Sequence, residues 1–277
     1  MSNTLQAYQT DRSVGAALAA SGVPRPDLFV TSKVFRALPH VEDEVQRQLR
    51  ELRIEQFDLF LIHTPKATEV AGLTHAEAWA RLEGLVDKGW TRCAAFFPPR
   101  RDGPLKASLT ECDSLRAIGV SNYTPSDLDS LLPHARIPPA VNQVSIYPYI
   151  YHRVLPTITY CEARGILIEA YELASSLVRP SEQGGPLDPV LERIVDELAE
   201  ASRGKRFTPG QVLLAWASAK GWVAVTTSSK RERQEVRPFP FRSRLCSLHI
   251  TLTRLARLQG VRWRRRDLAH RRAGRRD

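Results

Sequence analysis

Lys33, His63, Asn122, Gln143, Tyr171 and Ser228 share one sequence context: each closes a short apolar run. Residues 29–32 lead into Lys33, 57–62 into His63 and 115–120 into Ser121-Asn122. Residues 140–142 lead into Gln143, 166–170 into Tyr171 and 223–226 into Thr227-Ser228. A lone histidine beside a core is an ordinary structural residue, and a lone strand-end lysine an ordinary solvated one. Here an ammonium, an imidazole, hydroxyls, carboxamides and a phenol are all delivered at the same end of successive apolar segments. That recurrence implies an enzyme site.

The elements that position these groups follow from periodicity. The run Phe57-Asp58-Leu59-Phe60-Leu61-Ile62 is of strand length and nearly continuous in Leu, Phe and Ile, the signature of a strand buried on both faces in a parallel sheet. Pro65 ends it, leaving His63 at the carboxyl edge, the edge at which parallel α/β folds bind ligands. Between the apolar runs lie helical patterns. Residues 11–21 carry Val14, Leu18 and Ala19, residues 40–53 carry Val41, Val45, Leu49 and Leu52, and residues 75–88 carry Ala78, Leu82 and Leu85. Thr124-Pro125-Ser126-Asp127 and Thr208-Pro209-Gly210-Gln211 have the cap, the N1 proline and the N3 partner of a helix start. Further helices are expected at 153–164 and from Asp188-Pro189, and a last strand at 222–227 followed by a short helix. Strand alternating with helix predicts βαβ units and a parallel sheet.

Composition narrows the class. A chain of 277 residues with 43% hydrophobic content suits one α/β barrel of about 250 residues. No stretch approaches the roughly 20 apolar residues of a membrane span, and the first residues show no secretory signal. Cys93, Cys112, Cys161 and Cys246 have no metal-ligand spacing, so no metal is expected and the thiols read as reduced cytosolic cysteines. The net charge of +10 is local: residues 237–277 hold 13 Arg against 2 acidic residues, and the rest of the chain is close to neutral. Residues 91–114 lack any period and read as an atypical insertion, and residues 237–277 as a basic, disordered tail.

The strand ends resemble those of the aldo-keto reductase family. Phe29-Val30-Thr31-Ser32-Lys33 is similar to the strand that carries the family's catalytic lysine, and Asp58-Leu59-Phe60-Leu61-Ile62-His63 to the one that carries its histidine. Arg116-Ala117-Ile118-Gly119-Val120-Ser121-Asn122-Tyr123, Val141-Asn142-Gln143-Val144 and Ala170-Tyr171 resemble its nicotinamide-binding strands. The end at Thr226-Thr227-Ser228-Ser229-Lys230 looks most like fungal or yeast members that reduce keto esters, keto amides and aldehydes. The resemblance runs from about residue 3 to 235, the insertion apart. It implies a (β/α)8 barrel of TIM type over residues 1–236, without its first strand and helix, binding NADPH with no G-x-G-x-x-G fingerprint.

The resemblance also implies roles. Tyr8 matches the general acid, Lys33 the cation that favours its phenolate, and His63 the group that orients a substrate carbonyl. A phenol of pKa near 10 gains from such a neighbour. Ser121, Asn122 and Gln143 match the residues that hold the carboxamide, Tyr171 the ring that stacks on the nicotinamide, and Ser228 with Arg233 the grip on the 2′-phosphate. Asn3 stands where the family has an aspartate. The expected protein is a cytoplasmic, monomeric reductase of small-molecule carbonyl compounds, with no membrane partner. The alternative is a catalytically impaired relic whose basic tail binds nucleic acid or anionic surfaces.

Overall fold

The computed structural model of the chain describes residues 10–91, 118–202, 204 and 206–228, together with the backbone of Ser2–Asn3. It divides into two compact units. The first comprises Met1–Ile146, Val154–Glu172 and Trp222–Val225.

That unit is a parallel sheet in strict chain order. Its strands are β1 (Ser2–Asn3), β2 (Val30–Val34), β3 (Leu59–Ile62), β4 (Ile118–Ser121), β5 (Val141–Ser145), β6 (Leu167–Tyr171) and β7 (Val223–Ala224). Helices α1 (Asp11–Ala20), α2 (Val41–Leu52), α3 (Lys66–Ala71), α4 (His75–Asp87), α5 (Pro125–Leu131) and α6 (Tyr151–Ala163) alternate with them. All six pairings between neighbouring strands are parallel, and among the described residues none joins β7 back to β1. The fold class is therefore α/β with an open, staved parallel sheet. Strands β2, β3 and β4 are buried along their whole length, β3 as an unbroken apolar run and β2 and β4 with Thr31, Ser32, Lys33 and Ser121 buried among their apolar residues.

Register fixes which side chains share a face. Lys33 lies opposite Leu61, and Leu61 opposite Gly119; Ser121 lies opposite Gln143, and Gln143 opposite Glu169. Alternation then puts Thr31, Lys33, Leu59, Leu61, Gly119, Ser121, Val141, Gln143, Leu167, Glu169 and Tyr171 on one face. Leu59, Leu61 and Val141 form a buried cluster there, with Phe29 and Leu167 packed against it. The opposite face meets the helices: Ser32 Oγ donates to Gln48 Oε1 of α2 at 2.7 Å, and Asn142 Nδ2 contacts Cys161 Sγ of α6 at 3.5 Å. Asp58 pins the entry of β2, accepting from Val30 N at 2.7 Å while Arg25 pairs with it at 2.7 Å.

The sequence signals for helix starts are realised. Thr124 with Asp127 and Thr208 with Gln211 form capping boxes, and so do Thr74 and Glu77 at the start of α4. Two short helices, α3 and α7 (Ser175–Val178), have no apolar period to announce them. The final strand is shorter than its apolar run: β7 covers only Val223–Ala224, although Val225 N still donates to Ala170 O at 2.8 Å. Among the described residues it pairs with one neighbour, β6.

The second unit comprises Tyr147–Arg153, Leu173–Gly221 and the residues from Thr226 on. It holds α7, α8 (Asp188–Ala201) and α9 (Pro209–Ala219). Leu191, Ile194, Val195 and Leu198 form the buried stripe of α8. Tyr151 meets Trp216 of α9 edge to face, with ring centroids 5.5 Å apart. Within this unit Arg179 donates to the Tyr147 hydroxyl at 2.6 Å and covers its ring at 4.8 Å. None of the described helices is long and apolar enough to cross a membrane. The expected insertion and basic tail lie almost wholly outside the described residues.

Candidate active site

The carboxyl edge of the first unit's sheet gathers six of the sequence-predicted site residues. Lys33 is the next-to-last residue of β2, and its side chain is buried at 4% exposure. His63 follows β3 and extends its ladder, its N–H donating to Val34 O at 2.9 Å. Ser121 ends β4 and Asn122 follows it, Gln143 is central in β5, and Tyr171 ends β6. Each is placed by the same local logic. An apolar run leads into each of them, and Lys33, Ser121 and Gln143 stay buried where their strands approach the carboxyl edge.

These groups are wired to one another. Lys33 Nζ donates to Gln143 Oε1 and sits 5.8 Å from the centre of the Tyr171 ring. Gln143 Nε2 donates to Glu169 Oε2 at 2.6 Å. Ser121 Oγ donates to Gln143 O at 2.9 Å, and Asn122 N donates to the same carbonyl at 2.9 Å. Asn122 Nδ2 donates to Ser121 Oγ at 3.1 Å and to His63 O at 3.4 Å, while the Tyr171 hydroxyl donates to Asn122 Oδ1 at 3.0 Å. Asn122 adopts φ 60, a left-handed conformation that asparagine tolerates better than most side chains and that turns its amide back across the rim.

Lys33 reaches Gln143 although register sets it two residues lower. The position between them is Gly119, where a Cβ would fall 2.7 Å from both Leu61 Cδ2 and Val141 O. The bare backbone at Gly119 lets Leu61 and β5 close in, and the long lysine stem spans the remaining distance.

Electrostatics separates the titrating groups. Burial pushes Lys33 down to about 8, against the opposing pull of the Glu169 carboxylate. Burial, and secondarily the Lys33 charge, pushes His63 down to about 4, so its imidazole is neutral at physiological pH. Its Nδ1 is buried without a hydrogen-bond partner among the described residues. Glu169 is fully buried and is held above the ordinary carboxylate range by that burial, with the Gln143 hydrogen bond and Lys33 opposing. Glu169 belongs to this site although its sequence context does not advertise it. The available signal is a charged residue inside an otherwise apolar strand, since a buried carboxylate is rare unless paired.

The four remaining sequence candidates stand as expectations. Tyr8 and Arg233 lie outside the described residues, and of Asn3 only the backbone is described, opposite Thr31 in register. Ser228 belongs to the second unit. Among the described residues no cluster of His, Cys, Asp and Glu has the makings of a metal site.

Comparison with known proteins places this arrangement. The model of the Aldo/keto reductase family matches residues 3–97 and 107–237. An NAD/NADP-dependent indole-3-acetaldehyde reductase of Schizosaccharomyces pombe is 30% identical over 231 residues, covering 83% of this chain and 69% of that protein. An NADPH-dependent alpha-keto amide reductase of Saccharomyces cerevisiae is 29% identical over 230 residues, covering 82% of this chain and 64% of that protein. Among solved structures, a Bombyx mori aldo-keto reductase in complex with NADP superposes with a TM-score of 0.67 at 25% identity, covering 91% of this chain and 77% of that one. One from Brucella melitensis shares the fold, with a TM-score of 0.66 at 23% identity and 91% and 83% of the two chains covered. With its matched length, its strand order and its rim of polar strand ends, the chain belongs to the aldo/keto reductase family.

Proposed function

We propose that the chain is an NADPH-dependent reductase that converts aldehyde and ketone carbonyls to alcohols. The observation that carries this is the buried Lys33 ammonium on the same rim as a neutral His63 and the hydrogen-bonded set Ser121, Asn122, Gln143 and Tyr171. The fungal relatives support the cofactor class, one being named for NAD and NADP and the other for NADPH.

The donor set suits a nicotinamide. Two side-chain amides and a hydroxyl complement a carboxamide, and the Tyr171 ring beside them offers a flat surface for a planar heterocycle. Ser121, Asn122, Gln143 and Tyr171 would hold a reduced nicotinamide there, which would supply hydride to a carbonyl carbon. The chain does the rest. His63, uncharged, donates a hydrogen bond to the carbonyl oxygen and fixes which atom faces the hydride. Tyr8 gives its phenolic proton to that oxygen as the alkoxide develops, and water later restores the proton. Lys33 stabilises the phenolate left behind, which lowers the cost of donation. Ser228 and Arg233 take the 2′-phosphate, where a guanidinium matches a dianion. Asn3 contributes an amide where a carboxylate would add charge. The reductase body spans residues 1–236, with 91–114 an insertion and 237–277 a basic tail outside the chemistry.

The test is a titration of the purified chain with NADPH and with NADH, followed by tryptophan fluorescence, and an assay of NADPH oxidation with an activated keto ester. Saturable quenching favouring NADPH, with carbonyl-dependent oxidation, is the expected result. Absence of both at millimolar cofactor overturns the reading.

A further inference from the structure

Glu169 is fully buried on β6, level with Gln143 in register and two residues before Tyr171. Its Oε2 accepts from Gln143 Nε2 at 2.6 Å, and its Oε1 has no hydrogen-bond partner among the described residues. On the other side of the same carboxamide, Gln143 Oε1 accepts from Lys33 Nζ. The amide dipole thus lies between two opposite charges, its oxygen toward the cation and its N–H toward the anion. A carboxamide in this place can satisfy both charges in only that orientation.

Among the described residues no other charge acts here from the surrounding strands. From β3 comes His63, which is neutral; from β4 come Gly119 and Ser121; from β6, besides Glu169, comes the Tyr171 ring; and the residues of β1, Ser2 and Asn3, are uncharged types. Among the described residues Glu169 is the one carboxylate whose field reaches Lys33, and Lys33 the one cation whose field reaches Glu169. Each ion at this depth would otherwise shed its charge, the carboxyl by taking up a proton and the ammonium by losing one.

We infer that Glu169 is a positioning residue that keeps the buried Lys33 ammonium charged and aimed, acting through the Gln143 carboxamide. The relay is a property of the folded chain; only its use in proton donation rests on the reductase reading. Glu169 touches no reacting atom. It holds Gln143 in one orientation, and Gln143 in turn holds both Lys33 and the surface offered to the carboxamide. Truncating Glu169 therefore disturbs the orientation of Gln143 and, through it, the state of Lys33.

The experiment is a pH-dependent acetylation of the full-length chain with acetic anhydride, reading the modification of Lys33 by peptide mass spectrometry. The wild-type midpoint is expected near about 8, matching the burial-lowered ammonium. Glu169→Gln keeps the shape and removes the charge, and should lower that midpoint by about one unit or more. Glu169→Asp keeps the charge and should hold it within about half a unit of wild type. An unchanged midpoint in Glu169→Gln overturns the inference. So does a full-unit fall in Glu169→Asp, which also decides the matter if the glutamine variant fails to fold. In turnover, Glu169→Gln should lose about tenfold in kcat near pH 8 with KM little changed, its optimum displaced to lower pH, and Glu169→Asp should restore both. The two readings fail separately. A midpoint that responds in a chain with no carbonyl reduction sinks the reductase and leaves the relay standing. Reduction with an unresponsive midpoint does the reverse.

Discussion

The hydroxyl of Tyr171 donates to Asn122 Oδ1 at 3.0 Å, tying the end of β6 to the residue just past β4. Asn122 is itself held, its backbone left-handed and its Nδ2 shared between Ser121 Oγ and His63 O. The ring that faces Lys33 therefore has its tilt set by an amide that cannot easily turn. Tyr171→Phe keeps the ring and removes the tether. Losing one intramolecular hydrogen bond should lower stability by about 1 kcal/mol in denaturant melts, and freeing the ring's tilt should weaken NADPH binding in a fluorescence titration.

Lys33 should give carbonyl reduction an alkaline limb. Its ammonium is intact below about 8 and is lost as pH rises through that value. Carbonyl reduction should fall above about pH 8 in a kcat profile. Lys33→Met should cost about a hundredfold or more in kcat and abolish that limb, the loss lying within the usual range for assisted proton transfer. A limb that persists in the methionine variant would assign it to another group.

His63 has the opposite signature. A folded midpoint of about 4 keeps the ring neutral across physiological pH, so no activity limb between about pH 5 and 8 should come from it. NMR of the imidazole should show the titration near about 4. The folded value lies below the ordinary histidine value of about 6.5, so within that window the unfolded chain binds the extra proton. Stability from this group is present above about pH 6.5 and declines as pH falls toward 4. His63→Phe should remove that part of the acid sensitivity in denaturant melts at successive pH values.

Gly119 tests the packing under the site. A methyl group there meets Leu61 Cδ2 and Val141 O at 2.7 Å, and the backbone atom cannot rotate away as a side chain can. Gly119→Ala should destabilise the fold by about 1–3 kcal/mol in urea denaturation, by forcing β4 away from β5. The Lys33 to Gln143 contact spans these strands, so the acetylation midpoint of Lys33 should move in the same variant. A fully stable variant would show that the strands can spread without cost.

Much of the fold was legible before any coordinates. Strands buried on both faces are mostly apolar, so residues 57–62 and 166–170 declare themselves by composition despite Asp58 and Glu169, and the polar residue that closes each run marks the rim. Capping boxes at Thr124 and Thr208 declare helix starts because the unsatisfied first N–H groups need a side-chain acceptor. Helix α3 stayed hidden because a helix of six residues, Lys66–Ala71, is too short to show a period. The last apolar run, 222–227, is longer than the strand it forms, Val223–Ala224, since an apolar run records burial but not how many residues find a partner.

What local pattern determined about this protein was its list of strand-end groups: Lys33, His63, Ser121, Asn122, Gln143 and Tyr171, in order along a parallel sheet. What the tertiary structure alone decided was how they are joined. Residues 33, 143 and 169 are far apart in the chain, and nothing near any of them specifies the others. Cross-strand register sets Gln143 opposite Glu169, the bare Gly119 lets Lys33 cross to the same amide, and burial makes the opposite charges matter to each other. Sequence periodicity tells which face a side chain takes on its own strand. Which residues meet on that face depends on the stagger between strands, and only the folded sheet supplies it.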